Sequence, residues 1–104
     1  MGPFKAYLID QKDAKTVAGF TQINEDQLDK GEVTIKIAYS SVNYKDALAA
    51  TGAGRIIRRH PCIGGIDMAG TVAKSTDARF KEGDEVIATS YDIGVAHHGG
   101  YAEY

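Results

Sequence analysis

Cys62 is the only cysteine in this 104-residue chain. Neither an intramolecular disulfide nor a multi-cysteine zinc cage is therefore available, which fits a reducing compartment. Positive charge is not in excess either: 12 Lys and Arg stand against 14 Asp and Glu, a net charge of −2. The chain lacks a general field that would hold a nucleic-acid backbone or an anionic membrane. Apolar runs are short, none approaching the roughly 18 residues of a membrane span. The amino-terminal MGPFKAYLIDQKD has too brief an apolar stretch between charges for a signal peptide. The expectation is a soluble, cytoplasmic chain with neither nucleic acid nor membrane as partner. Tryptophan is absent, proline occurs twice and glycine twelve times. A folded chain of this mass buries about 65% of the surface its unfolded form exposes, enough for one modest core, so one domain over residues 1–104 is expected.

What is present reads mainly as β-structure. Phe4 to Asp10 is rich in β-formers, ends at Gln11-Lys12-Asp13, and is followed by a second β-prone run from Thr16 to Ile23, an antiparallel hairpin pattern. From Glu32 to Ser40, Val33, Ile35, Ile37 and Tyr39 alternate with Glu32, Thr34, Lys36 and Ala38, the period-two signature of a half-buried strand. In a further strand from Ile66 to Lys74, Ile66, Met68, Gly70 and Val72 share one face, and Asp67, Ala69, Thr71 and Ala73 the other. Between these two strands, Asn43 to Gly52 predicts a short helix: Asn43 caps it, Asp46 holds the acidic third position and Gly52 ends it. Glu82-Gly83-Asp84 supplies a turn before the apolar run Val86-Ile87-Ala88. Tyr91 to Gly100 is a loop carrying Gly94, His97, His98, Gly99 and Gly100, and Tyr101 to Tyr104 reads as the start of a strand. Short strands, turns and one brief helix imply a small β-barrel or β-roll.

Four segments occur in an order that resembles the medium-chain dehydrogenases/reductases. They are Ser40 to Leu48 (SSVNYKDAL), Gly64 to Val72 (GGIDMAGTV), Phe80 to Val86 (FKEGDEV) and His98 to Glu103 (HGGYAE). The Asn-Tyr-Lys-Asp helix start and the Tyr-Asp-Ile-Gly-Val-Ala-His-His loop narrow the likeness to the zinc-independent quinone oxidoreductase branch and its acrylyl-CoA reductase group. The resemblance implies a GroES-like β-barrel with one short helix, the amino-terminal catalytic domain of such an enzyme without its Rossmann domain. It also implies NADPH as cofactor, bound mainly by that further domain, a small-molecule substrate and a parent enzyme that is a candidate homodimer. A dinucleotide cradle needs a strand, a glycine-rich turn and a helix opening on the pyrophosphate. Gly52-Ala53-Gly54-Arg55 instead follows a helix, and Gly64-Gly65 introduces a strand. The expectation is a fragment or isolated domain, truncated at its carboxyl end and inactive alone.

Metal chemistry is judged on the same resemblance. Where zinc-dependent relatives place a cysteine and a histidine, this chain has Asn43 and Ile66. Asparagine is a poor zinc ligand and isoleucine is none. The implied chemistry is zinc-free hydride transfer, with the protein orienting substrate and polarising its carbonyl.

Each candidate has a functional and a structural reading. The resemblance places Tyr44 at the nicotinamide and substrate cleft as a catalytic and cofactor-binding residue, where a phenol donates to developing enolate charge; helical spacing with Ala47, Leu48 and Thr51 would instead make it a core cover. Asn43 is a cofactor ligand or an N-cap. Asp67 is a catalytic carboxylate that orients a water, a donor or Lys45, or a structural acceptor tying its strand to the adjacent turn. Asp46 reads as a capping residue, and Lys45 as a minor substrate contact. Arg55, Arg58, Arg59 and His60 form the one concentrated positive patch, suited to acyl-CoA phosphates through Arg55 or simply a solvated loop. His97 is a substrate-binding candidate or a loop histidine, and Cys62 a small buried apolar residue.

Two functions compete at this stage. One is the substrate-side domain of an NADPH-dependent reductase acting on an activated carbon–carbon double bond in a quinone, an enone or an acrylyl-CoA-like enoyl thioester. The other is a non-catalytic GroES-like binding or assembly module, as in co-chaperonins, which the Asn-Tyr-Lys-Asp segment argues against.

Overall fold

The computed structural model describes residues 2–104. Its strands form two three-stranded antiparallel sheets: β2 (Lys15–Ile23), β1 (Phe4–Lys12) and β4 (Cys62–Ile63) in that order, and β3 (Val33–Tyr39), β5 (Asp67–Ser75) and β6 (Glu85–Thr89) in that order. The first sheet is built on a hairpin. β1 (Phe4–Lys12) and β2 (Lys15–Ile23) pair along their whole length, from Phe4 opposite Ile23 to Lys12 opposite Lys15. The strand runs past Asp10 to Lys12 because the chain reverses in only two residues. Asp13 and Ala14 both take positive φ, the backbone hand that matches the twist of paired strands. The short β4 (Cys62–Ile63) pairs with Leu8 and Ile9 on the other edge of β1.

β3 (Val33–Tyr39), β5 (Asp67–Ser75) and β6 (Glu85–Thr89) make the second sheet. Val33, Ile35 and Ile37 are half-buried, as their alternation predicts. Tyr39 departs from them and is 76% exposed. A one-residue irregularity between Ile37 and Tyr39 breaks the period and sets Tyr39 opposite Ala69, which faces Ile87 on the next strand. Two large apolar side chains, Tyr39 and Ile87, thus stand exposed on the face that also carries Asp67 and Thr71.

The segment after Gly100 joins the sheets. Tyr101 N–H donates to Gly64 O at 2.9 Å, Tyr7 N–H to Tyr101 O at 2.7 Å, and Glu103 N–H to Lys5 O at 3.1 Å. On its other side, Ile37 N–H donates to Glu103 O at 2.9 Å. The strand-like reading of Tyr101 to Tyr104 therefore describes a seam: Ala102 bridges Ala6 in antiparallel sense, and the same segment touches β3. Phe4, Ala6, Ile23 and Ile63 form the core beneath it, with Leu8, Leu28, Tyr101 and Tyr104 packed against them. Cys62 is fully buried, and burial pushes its thiol pKa up, so it acts as a small apolar residue.

Helix α1 (Tyr44–Thr51) leaves the end of β3 and lies against β2. Its buried residues are Asp46 and Ala49. Tyr44, Ala47 and Thr51 face solvent, Tyr44 with 80% of its surface exposed, so helical spacing does not make Tyr44 a core cover. Asp46 lies on the buried face, and its carboxylate accepts the Asn43 N–H at 2.8 Å.

The loop before the seam is pinned by a half-buried polar network. Asp29 pairs with Arg59 and accepts the His98 N–H at 2.7 Å. The His98 ring accepts the Ile63 N–H at Nδ1 (3.0 Å) and faces Gln27 O from Nε2 (3.0 Å), a pattern that assigns the neutral tautomer protonated at Nε2. Of the basic cluster, Arg59 is therefore an internal tie, whereas Arg55 and Arg58 are exposed.

Burial holds the His98 pKa below its ordinary 6.5, and the Arg59 charge adds to this. Because the unfolded chain binds the proton more readily, this contribution to stability is complete above pH 6.5 and declines as pH falls through and below that value. The midpoint of thermal unfolding should drop between about pH 7 and pH 5, and His98→Gln, which keeps one donor and one acceptor, should flatten that profile.

Candidate functional site

Ser40 and Ser41 follow β3, and Val42 and Asn43 lead into α1; this turn is held from three sides. From β5, the Asp67 carboxylate accepts the Ser41 N–H at 3.0 Å, the Ser41 hydroxyl at 2.5 Å, the Ser40 hydroxyl at 3.3 Å and the Asn43 amide at 3.4 Å. Ser40 Oγ also donates to the Asp67 backbone carbonyl at 2.7 Å. From the helix, Asp46 accepts the Asn43 N–H, and its carboxylate lies 3.2 Å from Asn43 Nδ2. From the seam, the Tyr101 hydroxyl donates to Ser41 O at 2.7 Å.

These contacts set the charges. The Ser41 hydroxyl, followed by the Ser41 N–H and Asn43, holds the Asp67 pKa below the usual carboxylate range, so Asp67 is an anion at neutral pH. Burial, reinforced by neighbouring Asp46 and Asp67, pushes the Tyr101 hydroxyl up to about 12. It stays a neutral donor.

The arrangement brings four of the residues singled out in the sequence to one place. Asn43 sits at the N-cap position with its amide turned toward Ser41, Asp46 and Asp67. Tyr44 follows as the first helical residue and projects into solvent. Lys45 and Asp67 line one pocket of about 280 Å³, with Ile66, Thr89, Ser90 and Tyr91 among its other walls. Arg55 and His97 lie elsewhere. Arg55 is exposed beyond the carboxyl end of α1. His97 borders a different cavity, of about 540 Å³, where its Nδ1 lies 2.8 Å from His98 O and 3.7 Å from Asp29.

Sequence reasoning missed the two serines and Tyr101 as parts of this site. Ser40-Ser41 carried a signal, being hydroxyl residues at a strand-to-helix turn, where side chains commonly bond the backbone. Tyr101 carried none, because 60 residues separate it from Ser41.

The residues were also tested as holders of metal and cofactor. No group of three or more His, Cys, Asp or Glu side chains stands close enough to hold a metal ion among the described residues. Asn43 is committed to its neighbours, and Ile66 has no ligating atom. α1 follows a turn that contains no glycine, and Asp46 occupies its amino end. This is unsuited to a pyrophosphate, which needs free N–H groups and close backbone approach. No helix among the described residues is long and apolar enough to cross a membrane.

Comparison with known proteins places this geometry. Residues 29–104 match the model of the alcohol dehydrogenase GroES-like domain. The chain is 43% identical over 102 residues to acrylyl-CoA reductase AcuI of Ruegeria pomeroyi, covering 96% of this chain and 31% of that protein. It is 57% identical over 82 residues to the "Putative quinone oxidoreductase YhfP" of Bacillus subtilis, covering 79% of this chain and 25% of that protein. Among solved structures, the yhdH oxidoreductase from Salmonella enterica in complex with NADP superposes with a TM-score of 0.92 at 50% identity, over 95% of this chain and 31% of that one. Bacillus subtilis yhfP with NAD bound gives 0.94 at 47% identity, over 99% and 31%. The chain thus spans about a third of the length of these relatives. With most of its residues under the family model and its fold shared along nearly the whole chain, this protein belongs to the alcohol dehydrogenase GroES-like domain family.

Proposed function

We propose that this chain is the substrate-side part of an NADPH-dependent oxidoreductase that reduces an activated carbon–carbon double bond without zinc. The acceptor is a quinone, an enone or an enoyl thioester of the acrylyl-CoA type. The observation that carries the reading is the held turn from Ser40 to Asn43. It presents Lys45 at the pocket that Asp67 lines, with the exposed Tyr44 directly before it in the helix. Tyr44 is 80% exposed there, so its ring contributes nothing to the core and its hydroxyl is open to a ligand. The names of the relatives support the same chemistry for proteins that share this turn's fold.

NADPH, when bound, supplies the hydride, and this chain's residues act on the acceptor. Hydride arrival at the β-carbon moves the π electrons toward the activating carbonyl, and the α-carbon then takes a proton from solvent water. The Tyr44 hydroxyl donates a hydrogen bond to the oxygen on which enolate charge develops, and the Lys45 ammonium adds a positive field at the same pocket. Asp67, saturated with donors and ionised, orients Ser41 and Asn43 instead of exchanging a proton. The pyrophosphate is held by a further domain. The exposed Tyr39 and Ile87 on the outer face of the second sheet offer that domain an apolar seat. The parent enzyme is cytoplasmic and homodimeric in this reading.

The full-length protein should oxidise NADPH in the presence of a quinone, an enone or acrylyl-CoA, with the rate unchanged by a zinc chelator, whereas residues 1–104 alone should show no measurable NADPH affinity. Tyr44→Phe should lower kcat about 10²-fold with little change in the KM for NADPH; unchanged turnover would remove the hydroxyl from the mechanism. Asp67→Asn places an amide N–H₂ against the Ser41 hydroxyl and Asn43. It should lower stability by about 1–3 kcal/mol in denaturant titration and reduce kcat together with it.

A further inference from the structure

Part of the wall of the Lys45–Asp67 pocket is built in an unfavourable backbone conformation. Ser90 and Tyr91, directly after β6, have φ of 68° and 56°. There the Cβ crowds the following carbonyl, and for a side chain as bulky as tyrosine the region is an outlier. Glycine would hold the same turn without that strain. The other such pair, Asp13-Ala14, closes the β1-β2 hairpin with one residue that tolerates the conformation and one with almost no side chain. At Tyr91 a large ring has been kept where the backbone disfavours it.

The fold draws no stabilisation from that ring. Tyr91 is 95% exposed, the highest value among the large hydrophobic side chains. Strain of this kind persists where the position of a side chain matters for function. Tyr91 borders the pocket of about 280 Å³ shared with Lys45 and Asp67, so an exposed aromatic residue and a cation lie at the rim of one small space.

We propose that Tyr91 is a specificity-determining residue of the substrate pocket: its ring is an aromatic wall on which a planar, conjugated acceptor of the quinone type stacks, with Lys45 facing the acceptor's carbonyl oxygen. The inference rests on the reductase reading above and adds a preference among its substrates. Offset stacking of two rings favours a quinone by about tenfold. An enoyl thioester is acyclic at its reacting end, presents no ring there and gains less.

The test measures kcat/KM for a benzoquinone and for acrylyl-CoA in the full-length protein and in Tyr91→Ala, Tyr91→Phe and Tyr91→Gly, together with thermal unfolding. Tyr91→Ala and Tyr91→Gly should lower the quinone value about tenfold and the thioester value far less. Tyr91→Phe should retain the wild-type ratio, and the KM for NADPH should be the same in all four proteins. Tyr91→Gly should unfold at or above the wild-type temperature, since it removes strain and no packing. A quinone-to-thioester ratio unmoved in Tyr91→Ala, a wild-type enzyme active on the thioester but not on quinones, or a Tyr91→Gly protein that melts lower would each overturn the proposal. A wild-type protein that reduces neither substrate would overturn the reductase reading itself.

Discussion

Close approach of the Gly99–Glu103 segment to Gly64-Gly65 is the constraint on which the rest of the molecule depends. A Cβ at Gly99 would lie 2.1 Å from Gly65 O and 2.6 Å from Gly64 O, and one at Gly65 would lie 2.8 Å from the Tyr101 ring. Without side chains at these positions the backbones meet. The seam can then hydrogen-bond to β1 on one side and to β3 on the other. The two sheets share no strand. Their alignment follows from this contact, and so does the position of the Tyr101 hydroxyl beneath the Ser40–Asn43 turn.

From that contact the site is assembled by hydrogen bonds of modest individual strength acting on one short piece of chain. A typical neutral bond contributes about 1 kcal/mol net, and one to a charged partner about 2. Several of them converge on Ser40, Ser41 and Asn43 from β5, from α1 and from the seam. Convergence matters more than the sum, because it leaves the turn one arrangement. Asp67 would be costly to half-bury as an anion without donors. With Ser40, Ser41 and Asn43 supplied, it is the hub that joins strand to helix. The adjacent Tyr44 and Lys45 are exposed.

The elements with local causes were legible in the sequence. The alternation from Val33 to Ile37, the Asn43–Gly52 helix with its acidic third position and left-handed Gly52, and the hairpin all arise from interactions a few residues apart. So do the short strands that implied a mainly β domain with one brief helix. The exposure of Tyr39 was not legible, since a single-residue irregularity in pairing inverts a face without leaving a mark in the hydrophobic pattern. Helical spacing was likewise a poor guide to Tyr44. The buried face of α1 carries Asp46, a polar residue that hydrophobic periodicity does not count.

By itself the sequence determined the class of the fold, the family through its four ordered segments, and the residue types at Asn43 and Ile66 that make poor zinc ligands. It also determined that Asn43, Tyr44 and Lys45 lie together, because they are consecutive. Tertiary structure decided what surrounds them. It brought Asp67 and Tyr101 to Ser41, tied Arg59 to Asp29 and His98 as an internal brace, set Arg55 and His97 apart from the site, and placed Tyr91 at the edge of the Lys45–Asp67 pocket. The physical reason is the same in each case: these partners lie from 24 to 69 residues apart. Bonds across such separations form only once sheet register and the glycine contact have been set, and neither is written in the local pattern of side chains.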